Sequence, residues 1–318
     1  MPQFKLKMKV YSITDAPLIE NPVATIGIFD GVHKGHKYIL KSLIERAKES
    51  GGNSLVITLW PHPRIVLNKD VWNFRLLHSQ EEKIHHLSKL GLDYYITIPF
   101  NKELAATPAC DFVKDYLVDK LHVRKLILGY DNTFGRDRQG SPSSLAACAE
   151  ESGLIVEQLD EFRAAKENIS STTVREALLK GELEIAREML EYDYYLEGTV
   201  VMGNQLGRKI GYPTANVHPQ SAYKLIPRDG VYAVHIEHEG KMYEAMLNVG
   251  VRPTIDSANP VKIIEAHLFD VNIDLYDEEV VIHFLKRIRD EIKYPNLNAL
   301  KMQLQADEEV IRTFFSGI

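Results

Sequence analysis

The sequence predicts an α/β domain built on a parallel sheet, followed by a small antiparallel β-barrel with a terminal helix. Three observations carry this expectation. From Val23 to about Gln158, short apolar runs alternate with helical patterns, the signature of βαβ units. From Gly198 the hydrophobic period changes to two, over several short runs joined by turn residues, which reads as a small closed barrel. From about Asn298 to Phe315 the period is helical, with Leu300, Leu304, Val310, Ile311 and Phe314 on one side. A chain of 318 residues is long enough for two cores. The expected domains are residues 1–190 and 191–318, with YDYYLE (192–197) as the crossing.

The first half opens on an apolar run, Val23 to Phe29, which stops at Asp30-Gly31 before a helical pattern that starts by about His36. In that pattern Ile39, Leu40, Leu43, Ile44 and Ala47 share a face. The stretch GIFDGVHKGH (27–36) is therefore expected in the turn between a strand and a helix, at the carboxyl edge of a parallel sheet. The unpaired N–H groups and dipole of a helix start favour phosphate there. Two imidazoles, His33 and His36, with Gly35 between them, suit an anionic substrate; alone, the pattern also fits an ordinary surface turn. Gly51-Gly52 closes the helix. SLVITL (54–59) is a buried strand that ends in Trp60-Pro61-His62-Pro63. Ser79 with Glu82 makes a capping box for a helix over 80–89. Strands follow at 94–98 and 125–128, with a helix from Pro108 to about Lys120 between them. KLIL (125–128) enters GYDNTFG (129–135). A helix around 144–151 and a strand near 154–158 come next, then ISSTTVR (169–175) at the start of a helix. Hydroxyls and an arginine at a helix start are ordinary caps, and also a good polyphosphate grip.

Composition is that of a soluble globular protein. A net charge of −6 argues against a general nucleic-acid binder. The two cysteines, Cys110 and Cys148, lie in helical patterns among small and apolar neighbours and are expected to be core thiols of a protein in a reducing cytoplasm. Lys5, Lys7 and Lys9 alternate with apolar residues, unlike a signal peptide. No apolar run approaches the length of a membrane span. The remaining histidines have no metal-ligand spacing; His85 and His86 are adjacent and point to different faces of a helix.

In the second half, Val231–Glu237 and Met242–Val249 are expected to pair through the turn at 238–241, and Ala266–Asp274 with Val280–Leu285. Before them stands GNQLGRKIGYPTAN (203–216). It is not a P-loop, because the glycine spacing differs and Ile210 follows Lys209 where a hydroxyl residue is needed. A glycine-rich turn beside Arg208 and Lys209 can still fold over phosphates through backbone N–H groups, or be a solvated hairpin loop.

These motifs carry a resemblance. GIFDGVHKGH, TLWPHP (58–63), GYDNTFG and ISSTTVR, in that order, resemble the adenylyltransferase half of bacterial bifunctional riboflavin kinase/FAD synthetases, a Rossmann-like nucleotidyltransferase domain of the H-x-G-H superfamily. GNQLGRKIGYPTAN, MLNVGVRPT (246–254), IEAHLFD (264–270) and IRDEIKYPNLNAL (288–300) resemble the riboflavin kinase domain of the same family. The resemblance implies that riboflavin is phosphorylated to FMN with ATP by the C-terminal domain. The N-terminal domain would then adenylylate FMN to FAD and release pyrophosphate, with Mg2+ serving both steps. It implies catalytic roles for His33, His36, Arg175 and Glu265, with Glu265 as base toward the ribityl hydroxyl. Nucleotide would be bound by Gly27, Phe29, Gly35, Asp131, Ser171, Thr172, Gly203, Gly207 and Arg208, and metal by Thr214 and Asn216. Flavin would be bound by Asn248, Thr254, Arg289 and Glu291, the last two on a segment that closes over it together with Lys293. Two positions depart from the family pattern: Asn132 stands where phenylalanine is usual, and Asp277 where glycine is common in the turn.

The expected partners are riboflavin, FMN and ATP, with no nucleic acid and no membrane. The main alternative is a flavin- and nucleotide-binding protein of the same folds without catalysis, which would be free to lose His33, His36, Arg175 and Glu265. An RNA-related relative of the H-x-G-H superfamily is disfavoured by the acidic balance.

Overall fold

The computed structural model describes residues 8–67, 74–130, 142–160, 169–203, 207, 210–252, 261–271 and 273–317. The chain divides into two units, residues 2–170 and 171–318.

In the first unit, β1 (Lys9–Ser12), β2 (Pro22–Ile26), β3 (Asn53–Trp60), β4 (Tyr94–Pro99), β5 (Lys125–Leu128) and β6 (Ile155–Gln158) form one sheet. Its order is β1-β4-β3-β2-β5-β6, and every pairing is parallel. The helices are α1 (Lys34–Glu49), α2 (Pro63–Val66), α3 (Gln80–Ser88), α4 (Lys102–Ala106), α5 (Ala109–Phe112) and α6 (Pro142–Glu151). A π-helical stretch, Val113–Lys120, continues α5.

Strand alternation explains why the sheet is covered on both faces. Ala24, Ile26, Leu55 and Ile57 pack with Phe112, Leu117, Leu145 and Ala149. Their neighbours Val23 and Val56, with Tyr95 and Ile127, pack with Leu40, Leu43, Ala47 and Leu87. The chain steps β2–β3–β4 to one side and β5–β6 to the other. The carboxyl end of β2 therefore lies where the strand order reverses, the place at which open α/β sheets leave a crevice for ligands.

In the second unit, α7 (Ser171–Lys180) and α8 (Leu183–Leu190) lead into β7 (Tyr195–Val201), β8 (Ala215–Pro219), β9 (Gly230–His238), β10 (Lys241–Arg252), β11 (Val261–Leu268) and β12 (Glu279–Arg289). These strands close as an antiparallel barrel in the order β10-β11-β8-β7-β12-β9. Closure leaves no edge exposed. Along β9, Val231 and Ala233 join the cluster that includes Ile311 of α9 (Leu297–Ser316). The alternate residues Tyr232, Val234 and Ile236 fill the barrel interior with Leu247 and Phe284. The α7–α8 pair belongs with this unit: the Arg228 N–H donates to the Leu178 carbonyl at 3.0 Å, and the Arg187 guanidinium to the Leu285 carbonyl at 3.1 Å.

The expected fold class is therefore observed, with differences in detail. Cys110 and Cys148 are not free thiols; they form a disulfide that spans 38 positions. The sequence could not show this, because only packing of α5 beside α6 brings the two together. The apolar alternation at 266–274 does not continue as a strand. The ladder stops at Leu268, Asp270 has a left-handed φ of 55°, and Val271 and Ile273 are exposed. Asp277 likewise adopts φ 63°, the conformation that explains why glycine suits its turn.

Candidate functional site

In the first unit the turn between β2 and α1 is built from backbone that few residues tolerate. Phe29, Gly31 and Val32 have φ of 51°, 85° and 39°. For phenylalanine and β-branched valine this is strained, and such strain persists only where the surroundings enforce it. The enforcement is visible. Phe29 and Val32 are buried in the cluster under α1. The buried Asp30 carboxylate accepts N–H bonds from Leu77 at 3.0 Å and His78 at 3.0 Å. Gly27 is required because a Cβ there would lie 2.9 Å from the Phe29 ring.

His33 is buried and caps α1: its Nδ1 accepts the His36 N–H at 3.4 Å. In a neutral ring this leaves the proton on Nε2, the nitrogen that does not serve the cap. The His36 ring stacks on His33 at 3.7 Å and meets the edge of Phe29 at 5.2 Å. The two histidines thus form one rigid face at a helix N-terminus, beside orphan N–H groups. At Gly35 a Cβ would press within 3.3 Å of the His33 ring, so the glycine lets the ring lie flat along the helix start. In TLWPHP, His62 caps α2 by accepting the Arg64 N–H at 3.1 Å and packs on Phe74. Ser171, Thr172 and Arg175 open α7, in the other unit. Asp131, and the departure at Asn132, lie outside the described residues.

In the second unit, strand register assembles what the sequence scatters. Arg289 pairs with Val231, Val231 with Asn248, Asn248 with Glu265, and Glu265 with Asn216. Directly paired residues share a face, so Arg289, Asn248, Glu265 and Asn216 lie on one row across the outer face of the barrel. Glu265 stands between two amides, each on a neighbouring strand. Thr214 immediately precedes β8. Two glycines act as seats: a Cβ on Gly203 would strike the Asn216 amide at 2.0 Å, and one on Gly250 the Glu291 carboxylate at 2.1 Å. The Asn248 amide approaches Glu291 at 3.5 Å. Gly207 accepts the Tyr212 N–H at 2.9 Å, tightening the glycine-rich turn. Arg208 and Thr254 fall outside the described residues.

Arg289, expected at the flavin, also has partners within the chain. Its guanidinium donates to both oxygens of the buried Asp307, at 2.9 and 2.6 Å, and to the Asp290 carbonyl at 2.8 Å. Asp307 also accepts from Gln303 at 2.8 Å. Arg289 thereby fixes the end of β12 to α9, under Glu291. Asp307 carried no signal in the sequence, since an aspartate in an amphipathic helix reads as solvated. Removing it leaves a mostly buried guanidinium without its carboxylate, so Asp307→Ala should destabilise the second unit by about 3–5 kcal/mol. Asp270, exposed and paired with Arg312 at 2.7 Å, provides the contrast. Asp270→Ala should leave the urea midpoint nearly unchanged, and equal shifts for the two variants would refute the ranking. On the same helix Glu308 accepts from the Tyr212 hydroxyl at 2.9 Å, and burial pushes that phenol up to about 12.

A parallel sheet with an imidazole-lined turn at its switch point, followed in the chain by a barrel with a carboxylate between two amides, fits a two-part transferase of phosphorus-containing groups. A family model described as FAD synthetase matches residues 16–173, and one described as riboflavin kinase matches residues 190–315. Bifunctional riboflavin kinase/FMN adenylyltransferases from Haemophilus influenzae and Escherichia coli are each 36% identical, covering 94% and 98% of this chain and 96% and 98% of their own. A crystal structure described as a macrolide-efflux protein from Streptococcus pneumoniae superposes with a TM-score of 0.86 and is 31% identical, over 95% of this chain and 98% of that one. Among the described residues of this chain, no helix is long and apolar enough to cross a membrane. The chain belongs to the bifunctional riboflavin kinase/FMN adenylyltransferase family.

Proposed function

We propose that the row across the barrel carries riboflavin phosphorylation and the β2–α1 turn carries FMN adenylylation. The chain is a bifunctional transferase: it makes FMN from riboflavin and ATP, then FAD from FMN and ATP with release of pyrophosphate. The corresponding domains are 1–190 and 191–318: the family matches cover 16–173 and 190–315, while α7 and α8, between them, pack with the second compact unit.

The observation that carries the kinase assignment is Glu265 held on β11 between Asn248 and Asn216. A carboxylate fixed on a strand accepts the proton of the ribityl hydroxyl as that oxygen attacks the γ-phosphorus of ATP and ADP leaves. Phosphoryl transfer asks little more of a protein than positioning and charge compensation. The donors Thr214 Oγ1 and Asn216 Oδ1 are hard oxygens of the kind Mg2+ takes, and the bare Gly203 leaves space for the Asn216 amide. These two residues would hold Mg2+, which neutralises phosphate charge when bound. Asn248, Glu291 and Thr254 contact flavin, with Arg289 holding that segment in place. Gly203, Gly207 and Arg208 contact nucleotide. Thr214→Ala is expected to raise the magnesium concentration needed for half-maximal kinase rate several-fold while FMN adenylylation keeps its own magnesium dependence. A kinase magnesium curve unmoved by the substitution removes Thr214 from the metal.

For adenylylation, a phosphate oxygen of FMN attacks the α-phosphorus of ATP and pyrophosphate departs; Mg2+, when bound, would neutralise phosphate charge. His33 and His36 donate N–H bonds to phosphate oxygens as charge builds, beside the backbone of Gly27, Phe29 and Gly35. Ser171, Thr172 and Arg175, at the start of α7, are assigned to polyphosphate, and Asp131 to nucleotide. The enzyme works in the cytoplasm, where ATP is drawn; the disulfide removes free thiols as an argument for that placement. Pure protein given riboflavin and Mg-ATP should produce FMN first and FAD second. Flavin binding without turnover of either substrate would favour the non-catalytic alternative.

A further inference from the structure

His267 stands in IEAHLFD, yet none of the roles assigned above falls to it. It follows Glu265 by two residues on β11. Strand alternation therefore puts both side chains on the outer face of the barrel, about 7 Å apart along the strand. The β8–β11 ladder pairs Asn216 with Glu265 and Ala215 with Ala266. One step further along this antiparallel register, Thr214 falls opposite His267. That step lies beyond β8, which starts at Ala215, so the backbone ladder does not reach Thr214. A side chain takes over where the ladder stops. The His267 Nδ1 lies 2.8 Å from the Pro213 carbonyl oxygen. A carbonyl only accepts, so Nδ1 carries the proton and donates it.

The imidazole is held in place for this bond. Its ring packs edge-to-face with Tyr212 at 5.0 Å and with Phe269 at 5.8 Å. Both of those rings are buried in the cluster under α9. Tyr212, the residue before Pro213, is tied at two further points. Its N–H donates to the Gly207 carbonyl at 2.9 Å, and its hydroxyl to Glu308 of α9 at 2.9 Å. Residues 212 and 213 are thus fixed by the glycine-rich turn, by α9 and by β11, and Thr214 is the next residue along the chain.

We propose that His267 is a positioning residue for riboflavin phosphorylation: by holding the Pro213 carbonyl, it sets Thr214 in line with Asn216, beside the strand that carries Glu265. The inference rests on the assignment of Thr214 and Asn216 to the magnesium–nucleotide. Because Nδ1–H is spent on the backbone, the ring acts through Thr214. Without that donor, Thr214 is held only by Tyr212 on one side and by β8 on the other. Its hydroxyl then spends less time where metal and phosphate need it, while Glu265 stays where it is. The effect should therefore fall on binding of Mg-ATP more than on the transfer step.

Two substitutions and one spectrum test the proposal on the full chain. His267→Phe keeps a ring between Tyr212 and Phe269 and removes the donor, whereas His267→Asn places an amide N–H near the position of Nδ1. One hydrogen bond of ordinary strength corresponds to about tenfold, so His267→Phe should raise KM for Mg-ATP in riboflavin phosphorylation about tenfold and change kcat by less than about threefold. His267→Asn should stay within about threefold of the parent KM. FMN adenylylation should keep its KM for ATP in both variants. In the metal-free, unmodified protein at about pH 8, where an ordinary imidazole is neutral, ring 15N shifts should show His267 as the Nδ1–H tautomer. Its signals are identified by their absence in His267→Asn. An Nε2–H ring overturns the proposal even if His267→Phe does not fold. So does a folded His267→Phe enzyme within about twofold of the parent KM, or a His267→Asn enzyme as impaired as His267→Phe. Thr214→Ala separates this inference from the reading beneath it. A kinase magnesium curve unmoved by Thr214→Ala removes the metal assignment itself; a curve moved by Thr214→Ala, with KM unmoved by His267→Phe, removes His267 alone.

Discussion

Replacing Glu265 by glutamine is expected to slow riboflavin phosphorylation by about 100- to 10,000-fold, the range that a positioned general base supplies. Glutamine keeps the size of the side chain and one acceptor oxygen, and removes the charge that takes the proton. Its strand pairing is with Asn248 and Asn216 through the backbone, so β11 and the barrel should be undisturbed. Riboflavin affinity should change little, and supplied FMN should still become FAD, because Glu265 is not among the residues assigned to that step. The measurement is the initial rate of FMN formation at saturating riboflavin and Mg-ATP, with FAD formation from FMN run beside it. A Glu265→Gln enzyme that phosphorylates riboflavin at close to the parent rate would remove Glu265 as the base.

The reciprocal result is expected for His36→Ala. FMN adenylylation should fall by about 100- to 1,000-fold, the usual cost of deleting one donor to developing charge, while riboflavin phosphorylation persists. The ring of His36 stacks on His33 and meets the edge of Phe29, so its loss removes that stacking from His33. Its backbone N–H, which His33 caps, remains in alanine. The helix therefore starts at the same place, and the effect belongs to the side chain. A folded His36→Ala protein that loses both activities together would show that the two sites are not separable. Taken with Glu265→Gln, the pair forms a cross: each variant should block one step and pass the other.

Much of the site was legible in the sequence because its chemistry is local. The run from Gly27 to His36 contains its own strand end, turn and helix start, so burial of α1 through Leu40, Leu43 and Ala47 follows from spacing alone. The hairpin at 238–241 was equally local, since Glu239 and Gly240 take the left-handed conformations that such a turn needs. The Ser79–Glu82 capping box is a contact three residues long, and it forms as expected.

The sequence by itself determined the alternation of strands and helices from β2 to β6, the change of period between the halves, and the residue types at each strand end, but not the edge strand β1. Only the tertiary structure decided which distant residues meet. Strand register, set across the closed barrel, placed Asn216, Asn248, Glu265 and Arg289 on one row, although they lie tens of residues apart. Packing of α5 against α6 joined Cys110 to Cys148. Burial turned Asp307 from a surface carboxylate into the partner of Arg289, and Lys83 from a helix-face charge into a buried ammonium over the Trp60 ring. The physical reason is common to all four cases. Hydrophobic periodicity specifies which face of an element is buried, but the partner of a buried polar group is fixed by what that face packs against. That depends on the whole fold, because a charge leaves water only where another part of the chain can compensate it.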